Sequence, residues 1–592
     1  MDLFKNKIIA NWRRARTSWS FFGIFQKRKL SQEDMDKKLV YSLSPRKIPT
    51  GNQMKHVKKF LNPREFLIVK ICALVILANV IYLGVVFIKK HLEYIPVVGG
   101  EYIEGVVGYP KNINPLYAVN NDIDGDLSRL IYSSLFKYDQ NGNLGADLAD
   151  NVTVSDDGKE YTIQIKRDVK WQDGTDLTVD DVLFTFNAIK DSAYRSPLRP
   201  ALVNVNAEKV DDQTIKFVLS DAYAPFREIL TFGILPKSLW ENINPASAVL
   251  ADLNLRPVGS GPYRFKSLTK NKNGELKEYK LIANQDYYGS QPYIKDVSFK
   301  FFVDYPTAIK ALNDNQVAGL SYLPFNYRQE LLAQDSLNLH ELVQPRIVSL
   351  FFNSDKNKAL ADKETRVALA SALDKGGIVN EIFSGAYQIA DGPILPENFA
   401  YNEAVTKYNY APDTAAAAMK SKPLTATLTV VDSGPNMAVA EKIKAYWEAI
   451  GAAVSIKSIS GEQAVSIIKE RDFEIILYGE SVGGDPDVYA FWHSSQIGAK
   501  GLNLAAYNNA TVDQLLVDGR TATSAADRIE KYKKFQEIIT DDLPVIWLYS
   551  PTYTYVQENK LKGFTGAAII EPADRFDGIS RWYLKTKKKI NW

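Results

Sequence analysis

The chain of 592 residues is too long for one hydrophobic core, and its 46% hydrophobic and 24% charged residues are ordinary for globular protein. Residues 1–65 hold 16 Lys and Arg against 5 Asp and Glu, whereas the remainder holds 56 against 64, and such a mildly acidic body argues against nucleic-acid binding. The one cysteine, Cys72, excludes an intramolecular disulfide framework.

Residues 1–65 predict a cytoplasmic, partly disordered basic arm. Cations cluster at 13–16 and 27–29, and Pro45 and Pro49 interrupt any long helix. Trp and Phe side chains among these cations would suit an amphipathic segment on an anionic membrane surface, but we prefer a plain topology signal.

Residues 66–88 predict a transmembrane helix. At about 1.5 Å per residue this apolar run crosses a hydrocarbon core of roughly 30 Å, and Lys70 lies near enough to one end to reach the headgroups. The excess of Lys and Arg before the run places the N-terminus in the cytoplasm and the body outside. No small-x-small cleavage site follows, and the residues before Cys72 do not suit a lipoprotein cysteine, so we expect an uncleaved anchor.

Three aspartates, Asp122, Asp124 and Asp126, have the spacing with which a calcium loop begins. An EF-hand needs Gly next and Glu at its twelfth position, but Leu127 and Ser133 stand there. We therefore expect a solvated acidic loop.

The most informative stretch is 147–190. Asp157-Gly158 is a turn dipeptide, and residues 161–165 alternate between apolar and polar as a half-buried strand does. Thr178 and Asp181 form a capping-box-like helix start. These signals predict a hairpin followed by a capped helix.

This stretch resembles the signature of the family 5 extracellular solute-binding proteins, which feed peptide and nickel ABC transporters. The resemblance continues in PVGSGPY at 257–263, in the segment 350–393, and in the closing strands at 542–564. It covers roughly residues 101–584.

The resemblance implies an α/β, periplasmic-binding-protein-like type II fold with two lobes, a hinge and an inserted third domain, preceded by one transmembrane helix. The expected boundaries are 1–65 for the arm, 66–88 for the membrane helix, 101–137 with 239–345 and 546–586 for lobe 1, 138–238 for the inserted domain, and 346–545 for lobe 2. The lobes close around the ligand, and peptide-binding members pair its backbone as an added strand.

Candidate ligand-binding residues follow from the same resemblance. They are Asp485, Asp487, Trp492, Tyr478, Asn353 and Arg366. In peptide binders an aspartate three residues before the D-P-D triplet holds the ligand's α-amino group, but Val482 stands here, so Asp485 or Asp487 would have to replace it. A turn cap is an equal alternative for both aspartates. For Arg366 we prefer a salt bridge within the lobe, and we expect Trp171 and Trp447 to pack in the lobes.

Two other functions, hydrolase activity and metal binding, have only partial signals in the sequence. Gly479-Glu-Ser481-Val-Gly483 resembles a hydrolase nucleophile elbow, but Asp485-Pro486 prevents an immediate helix and His493 is too near, so we expect no enzyme. The outer histidines, His91, His340 and His493, share no ligand spacing, so we expect neither metal nor cofactor.

The sequence thus predicts a monomeric, single-pass protein of the cell membrane with an extracytoplasmic body. Its expected partners are a peptide or other small-molecule ligand and the permease and ATPase subunits of an ABC transporter. A tethered sensor of the same fold, or a binder of a metal chelate or sugar, remains the alternative.

Overall fold

The computed structural model describes residues 61–432 and 434–590, together with five single positions nearer the N-terminus. The predictions for the basic arm therefore lie almost wholly outside the described residues. The chain divides into two units, 1–94 with 588–592 and 95–587, which are taken separately.

The described residues form 21 strands and 16 α-helices. The strands are β1 Leu92–Val97, β2 Glu101–Val107, β3 Phe136–Tyr138, β4 Leu144–Ala146, β5 Ala149–Val154, β6 Glu160–Ile165, β7 Val205–Lys209, β8 Thr214–Leu219, β9 Tyr263–Lys270, β10 Leu276–Ala283, β11 Asp296–Phe302, β12 Gly319–Leu320, β13 Leu337–Val343, β14 Arg346–Phe352, β15 Gln388–Ile389, β16 Thr425–Val431, β17 Ala453–Ile459, β18 Ile475–Ser481, β19 Val545–Ser550, β20 Thr552–Glu558 and β21 Lys585–Ile590. The helices are α1 Pro63–His91, α2 Asp122–Ile131, α3 Val179–Lys190, α4 Arg199–Leu202, α5 Phe226–Ile229, α6 Lys237–Trp240, α7 Tyr305–Asn313, α8 Arg328–Leu332, α9 Lys363–Ser371, α10 Lys375–Phe383, α11 Pro412–Ser421, α12 Asn436–Ala449, α13 Gly461–Glu470, α14 Tyr489–Trp492, α15 Ala510–Thr521 and α16 Ala525–Asp542.

The first unit contains α1, a helix of 29 residues that includes the predicted span 66–88. Asn62 and Glu65 form a capping box at its start, and Lys89 and Lys90 lie in its last turn. Its length and apolar composition suffice to cross a membrane, and none of its residues is buried.

The second unit is built on two large mixed sheets. One has seven strands in the order β13-β20-β12-β2-β11-β10-β9, and the other has six in the order β15-β19-β14-β18-β16-β17. The chain passes from the first sheet to the second between β13 and β14, and it returns between β19 and β20. Each sheet packs against its own apolar core.

A smaller antiparallel sheet, in the order β5-β6-β8-β7, contains the hairpin predicted within 147–190. Tyr161 and Ile163 of β6 are buried, and Gly158 occupies the turn with φ of +68°. The Asp181 carboxylate accepts the Thr178 N–H at 2.8 Å, which completes the predicted capping box. The hairpin and the helix start are confirmed.

The expectation of a solvated acidic loop at 122–126 is wrong. These residues open α2, and both Asp124 and Asp126 are buried. Asp124 accepts the N–H groups of Lys111 and Asn112, whereas Asp126 pairs with Arg575, 449 positions further along the chain. A partner as distant along the chain as Arg575 leaves no signal in the sequence beside Asp126.

Three other helix predictions are confirmed. The Asp362 carboxylate accepts the Thr365 N–H at 2.9 Å and caps α9. Gly451, with φ of +95°, ends α12, and α16 buries Tyr532 and Phe535 on one face. Trp171 and Trp447 are fully buried in the cores, as expected.

Candidate ligand-binding cleft

A cavity lies where the chain crosses between the two large sheets. Its lining comes from five segments: 141–143, 343–345, 393–398 without Pro396, 482–488 without Asp487, and 568–570. Its volume of about 90 Å³ is well below the roughly 300 to 1,000 Å³ of pockets that enclose small-molecule ligands. A peptide would therefore require the two sheets to move apart, which the two crossings permit.

The end of β18 that leads into this cavity has one free edge. On one side β18 pairs with β14 over its whole length, from Ile475 to Ser481. On the other side its parallel pairing with β16 stops at Leu477, so residues 478–481 have no neighbouring strand among the described residues. Unpaired backbone N–H and C=O groups on such an edge can pair with an extended chain.

The loop after β18 is held from both sides of the cavity. The Val482 N–H donates to the Pro345 carbonyl at 2.7 Å, and the Asn398 amide donates to the Gly484 carbonyl at 2.9 Å. A Cβ on Gly484 would lie 3.1 Å from the Tyr138 ring and 3.1 Å from the Ile570 side chain, so only glycine fits here without displacing a neighbour.

Both aspartates of the D-P-D triplet are ion-paired. The Asp485 carboxylate lies 2.5 Å from the Arg528 guanidinium, and the Asp487 carboxylate lies 2.7 Å from that of Arg520. Each also accepts a backbone N–H two residues ahead, that of Asp487 or Tyr489, as a turn cap does. Burial nonetheless raises the pKa of Asp485. Neither carboxylate is left uncompensated for an ammonium group.

The other candidates lie away from the cavity lining. Trp492 is buried against Trp547, with ring centres 5.8 Å apart, and Tyr478 is half-buried on β18. The Asn353 amide donates to the Arg471 carbonyl at 2.9 Å, beyond the end of β14 that is farther from the cavity. Ligand contact by these residues stays a prediction.

Arg366 makes no salt bridge among the described residues, so that expectation is wrong. Its guanidinium donates to four backbone carbonyls at 2.8 to 3.0 Å, those of Leu360, Ala361, Asp542 and Leu543. Two of these carbonyls lie at the end of α16, where helix geometry leaves carbonyl groups without intrahelical partners. A cation at this position donates to the free carbonyl groups and interacts favourably with the negative end of the helix dipole.

Several residues near the cleft were not singled out from the sequence. Asn141 and Asn143 line the cavity beside a turn, and Arg346 is exposed directly after the lining residue Pro345. The Arg346 guanidinium lies beside Gly479 of β18, and none of the ion pairs among the described residues includes it. The only sequence signals here were the Gly483-Gly484 dipeptide and the Asn-Gly-Asn turn.

The geometry around Ser481 also argues against a nucleophile elbow. Ser481 is the last residue of β18, and the next helix, α14, begins only at Tyr489. An elbow requires the serine on a tight turn directly between strand and helix.

Two α/β sheets joined by two chain crossings, with a cavity at the crossings and an added antiparallel domain, define a periplasmic-binding-protein-like solute-binding protein. Residues 143–501 match the family model for bacterial extracellular solute-binding proteins, family 5 middle. The chain therefore belongs to family 5 of these proteins, which bind solutes for ABC transporters and are not enzymes.

Individual relatives extend the likeness over most of the chain. The oligopeptide-binding protein AppA of Bacillus subtilis is 28% identical over 515 residues, which cover 83% of this chain and 92% of AppA. The dipeptide-binding protein of Escherichia coli is 26% identical over 514 residues, 80% of this chain and 93% of that protein.

Solved structures of solute-binding proteins show a similar fold. AppA of Bacillus subtilis in complex with a nonapeptide superimposes with a TM-score of 0.66 at 26% identity, covering 83% of this chain and all (100%) of that one. The ABC transporter substrate-binding protein CtaP of Listeria monocytogenes superimposes with a TM-score of 0.73 at 28% identity, over 82% of this chain and 99% of CtaP.

Proposed function

We propose that this protein is the membrane-anchored, extracytoplasmic substrate-binding protein of an ABC transporter, which captures a peptide between its two lobes and delivers it to a permease. The observation that carries the proposal is the free edge of β18 beside the cavity. A peptide laid along residues 478–481 would continue the six-stranded sheet.

Backbone pairing explains how such a site accepts varied sequences. Each added strand residue contributes N–H and C=O groups of the same kind whatever its side chain, so affinity does not depend on one side-chain pocket. Relatives support this ligand class, since AppA was solved with a nonapeptide and the Escherichia coli relative is named for dipeptides.

The charges near the cleft favour recognition of a carboxylate over an amine. Val482 occupies the position where peptide binders of the family carry their amine-binding aspartate, and Asp485 and Asp487 are bound to arginines. Arg346 is the exposed cation that directly follows the lining residue Pro345. The proposed ligand is held by its backbone and a carboxylate.

We divide the body at the crossings. The seven-stranded sheet marks lobe 1, and the sheet of β5 to β8 marks the inserted domain at 138–238. Lobe 2 covers 346–550 rather than 346–545, because β19 pairs with β14 in the six-stranded sheet.

The proposed anchor is α1. Its length and composition support one membrane span, and the basic residues before it support a cytoplasmic N-terminus. The body would then lie where solutes arrive, beside the permease.

The test is to identify the natural ligand. The full chain is purified in detergent, unfolded mildly, and the released small molecules are identified by mass spectrometry. Peptides of about two to ten residues are expected for a cleft that adds one strand. Release of only sugars or metal chelates would contradict the proposal.

A substitution in the cavity lining tests whether the ligand binds in the cleft. Gly484→Leu places a side chain against Tyr138 and Ile570 and should abolish peptide recovery. Gly461→Leu is the matched control, because Gly461 has open space around its Cβ position and lies on the exposed start of α13. Equal recovery from both variants would place the ligand elsewhere.

A further inference from the structure

Beyond the cavity lining, a second contact joins the inserted domain to lobe 2. We call it the latch and define it as Tyr223 of the inserted domain with Asp487, Tyr489 and Arg520 of lobe 2. Tyr223 follows β8, whereas Arg520 lies in the last turn of α15. None of these four residues lines the cavity.

The Arg520 guanidinium lies between two aromatic rings, one from each side of the contact. Its central carbon is 5.2 Å from the centre of the Tyr223 ring and 4.0 Å from that of Tyr489. It also donates to the Asp487 carboxylate at 2.7 Å. The Ala224 N–H donates to the Arg520 carbonyl at 2.8 Å, so backbone and side chain meet at the same place.

The latch combines interactions that strengthen when water is excluded. A guanidinium facing an aromatic ring is attracted more strongly once it is desolvated, and the carboxylate of Asp487 lies within 2.7 Å of the same guanidinium. Burial and the Asp487 charge raise the pKa of Tyr223, so its hydroxyl stays neutral at any physiological pH.

Of the latch interactions, only those of Tyr223 and of the neighbouring Ala224 N–H depend on the lobes being together. The bonds from Arg520 to Asp487 and its contact with Tyr489 lie within lobe 2 and need no partner across the contact. When the lobes separate, Tyr223 and the Ala224 N–H lose their lobe 2 partners. The latch therefore favours the closed arrangement over the open one.

We infer that Tyr223 and Arg520 are positioning residues, which set the fraction of molecules with closed lobes and thereby tune ligand affinity without touching the ligand. The inference rests on the proposed function in one respect, the closure of the lobes around a ligand. Apparent affinity scales with the population of the binding-competent state, so loss of the latch weakens binding by the factor by which closure is weakened.

The test measures closure directly. Dyes are placed on cysteines introduced at Asn273 in lobe 1 and Lys457 in lobe 2, both exposed, in a Cys72→Ser background of the full chain in detergent. Single-molecule energy transfer without ligand should show a mainly closed population for the wild type. Tyr223→Ala should shift most molecules to the longer distance, and Tyr223→Phe, which keeps the ring, should restore most of the closed population.

Affinity is the second readout, with the tripeptide trialanine as the probe. Tyr223→Ala should weaken trialanine binding by about tenfold, the factor that a tenfold loss of closure produces. The matched control is Tyr410→Ala, since Tyr410 is a half-exposed tyrosine whose ring meets a second ring edge-on, that of Tyr446 at 5.8 Å, but within lobe 2.

The outcomes separate the two proposals. An unchanged distance distribution in Tyr223→Ala, or an equal shift in Tyr410→Ala, would overturn the latch. If the wild type fails to bind trialanine, the peptide ligand is called into question, whereas the ligand-free distances still decide whether the latch holds the lobes together.

Discussion

The guanidinium of Arg575 holds the carboxylate of Asp126 in a fully buried, bidentate ion pair, with N···O distances of 2.6 and 2.5 Å. The same guanidinium donates to Glu104 at 3.0 Å, and Glu104 accepts from Tyr555. These contacts join the last part of the body to β2, α2 and β20. Lobe 1 thus combines early and late segments of the body, which this buried ion-pair network holds together.

Breaking this pair should be costly. Asp126→Asn leaves the buried Arg575 charge only partly compensated, and we expect a loss of about 3 to 5 kcal/mol in the free energy of unfolding. Urea denaturation of the full chain in detergent measures it. Asp156→Asn is the control, because Asp156 is exposed; a similar loss in both variants would argue against the buried network.

Introducing an amine anchor should change ligand preference. Val482→Asp places a carboxylate at the cavity lining, and we expect peptides with a free N-terminus to bind about tenfold more tightly, as one charge-assisted hydrogen bond provides. Calorimetry with a peptide and its N-acetylated form measures the change. An equal gain for the acetylated peptide would show that the amine is not contacted.

Closure should depend on pH through Glu228. Burial, together with the charge of Asp485, raises the pKa of the Glu228 carboxyl to about 7 from its ordinary 4.5. The charge of Arg528, which is paired with Asp485, opposes this rise.

Because the raised pKa belongs to the closed state, its favourable contribution is complete below pH 4.5 and is lost as the pH rises through about 7. We expect a larger closed population at pH 5.5 than at pH 8, read by the energy-transfer pair on lobes 1 and 2. Glu228→Gln should flatten this profile; a profile unchanged in that variant would assign the pH dependence to another group.

The anchor can be tested with the single cysteine. A membrane-impermeant maleimide should leave Cys72 unlabelled in intact cells and in inverted vesicles, and should label it after detergent is added. Cysteines introduced in a Cys72→Ser background at Ser155 and Ser44 should react only from outside and only from inside, respectively. Labelling of Cys72 from either side without detergent would contradict a span at 66–88.

The sequence was most informative where the determinants are local. The turn at Asp157-Gly158, the alternation over 161–165 and the cap pair Thr178 and Asp181 each act within a few residues, and the structure confirms all of them. Helix starts and stops such as Asp362 and Gly451 were predictable for the same reason.

It was least informative where a side chain's partner lies far along the chain. Nothing near Asp126 indicates Arg575, and nothing near Arg366 indicates carbonyls at the end of α16. Likewise, Tyr223 and Arg520 meet only through tertiary folding. Such pairs must be seen in three dimensions, because neither periodicity nor turn chemistry encodes them.

The connectivity of the two large sheets makes the two lobes unequal, because only the seven-stranded sheet follows directly from the N-terminal part of the chain. The chain crosses from the seven-stranded sheet to the six-stranded sheet at Gln344-Pro345 and returns at Pro551, so these are the two covalent connections between the sheets. Under the proposed function, an anchor before β2 would be joined covalently to lobe 1, and lobe 2 would be joined to the anchor only through the two crossings. Lobe 2 also carries the free edge of β18, so the proposed closure would move the proposed peptide-binding edge relative to the membrane, while lobe 1 would stay in place.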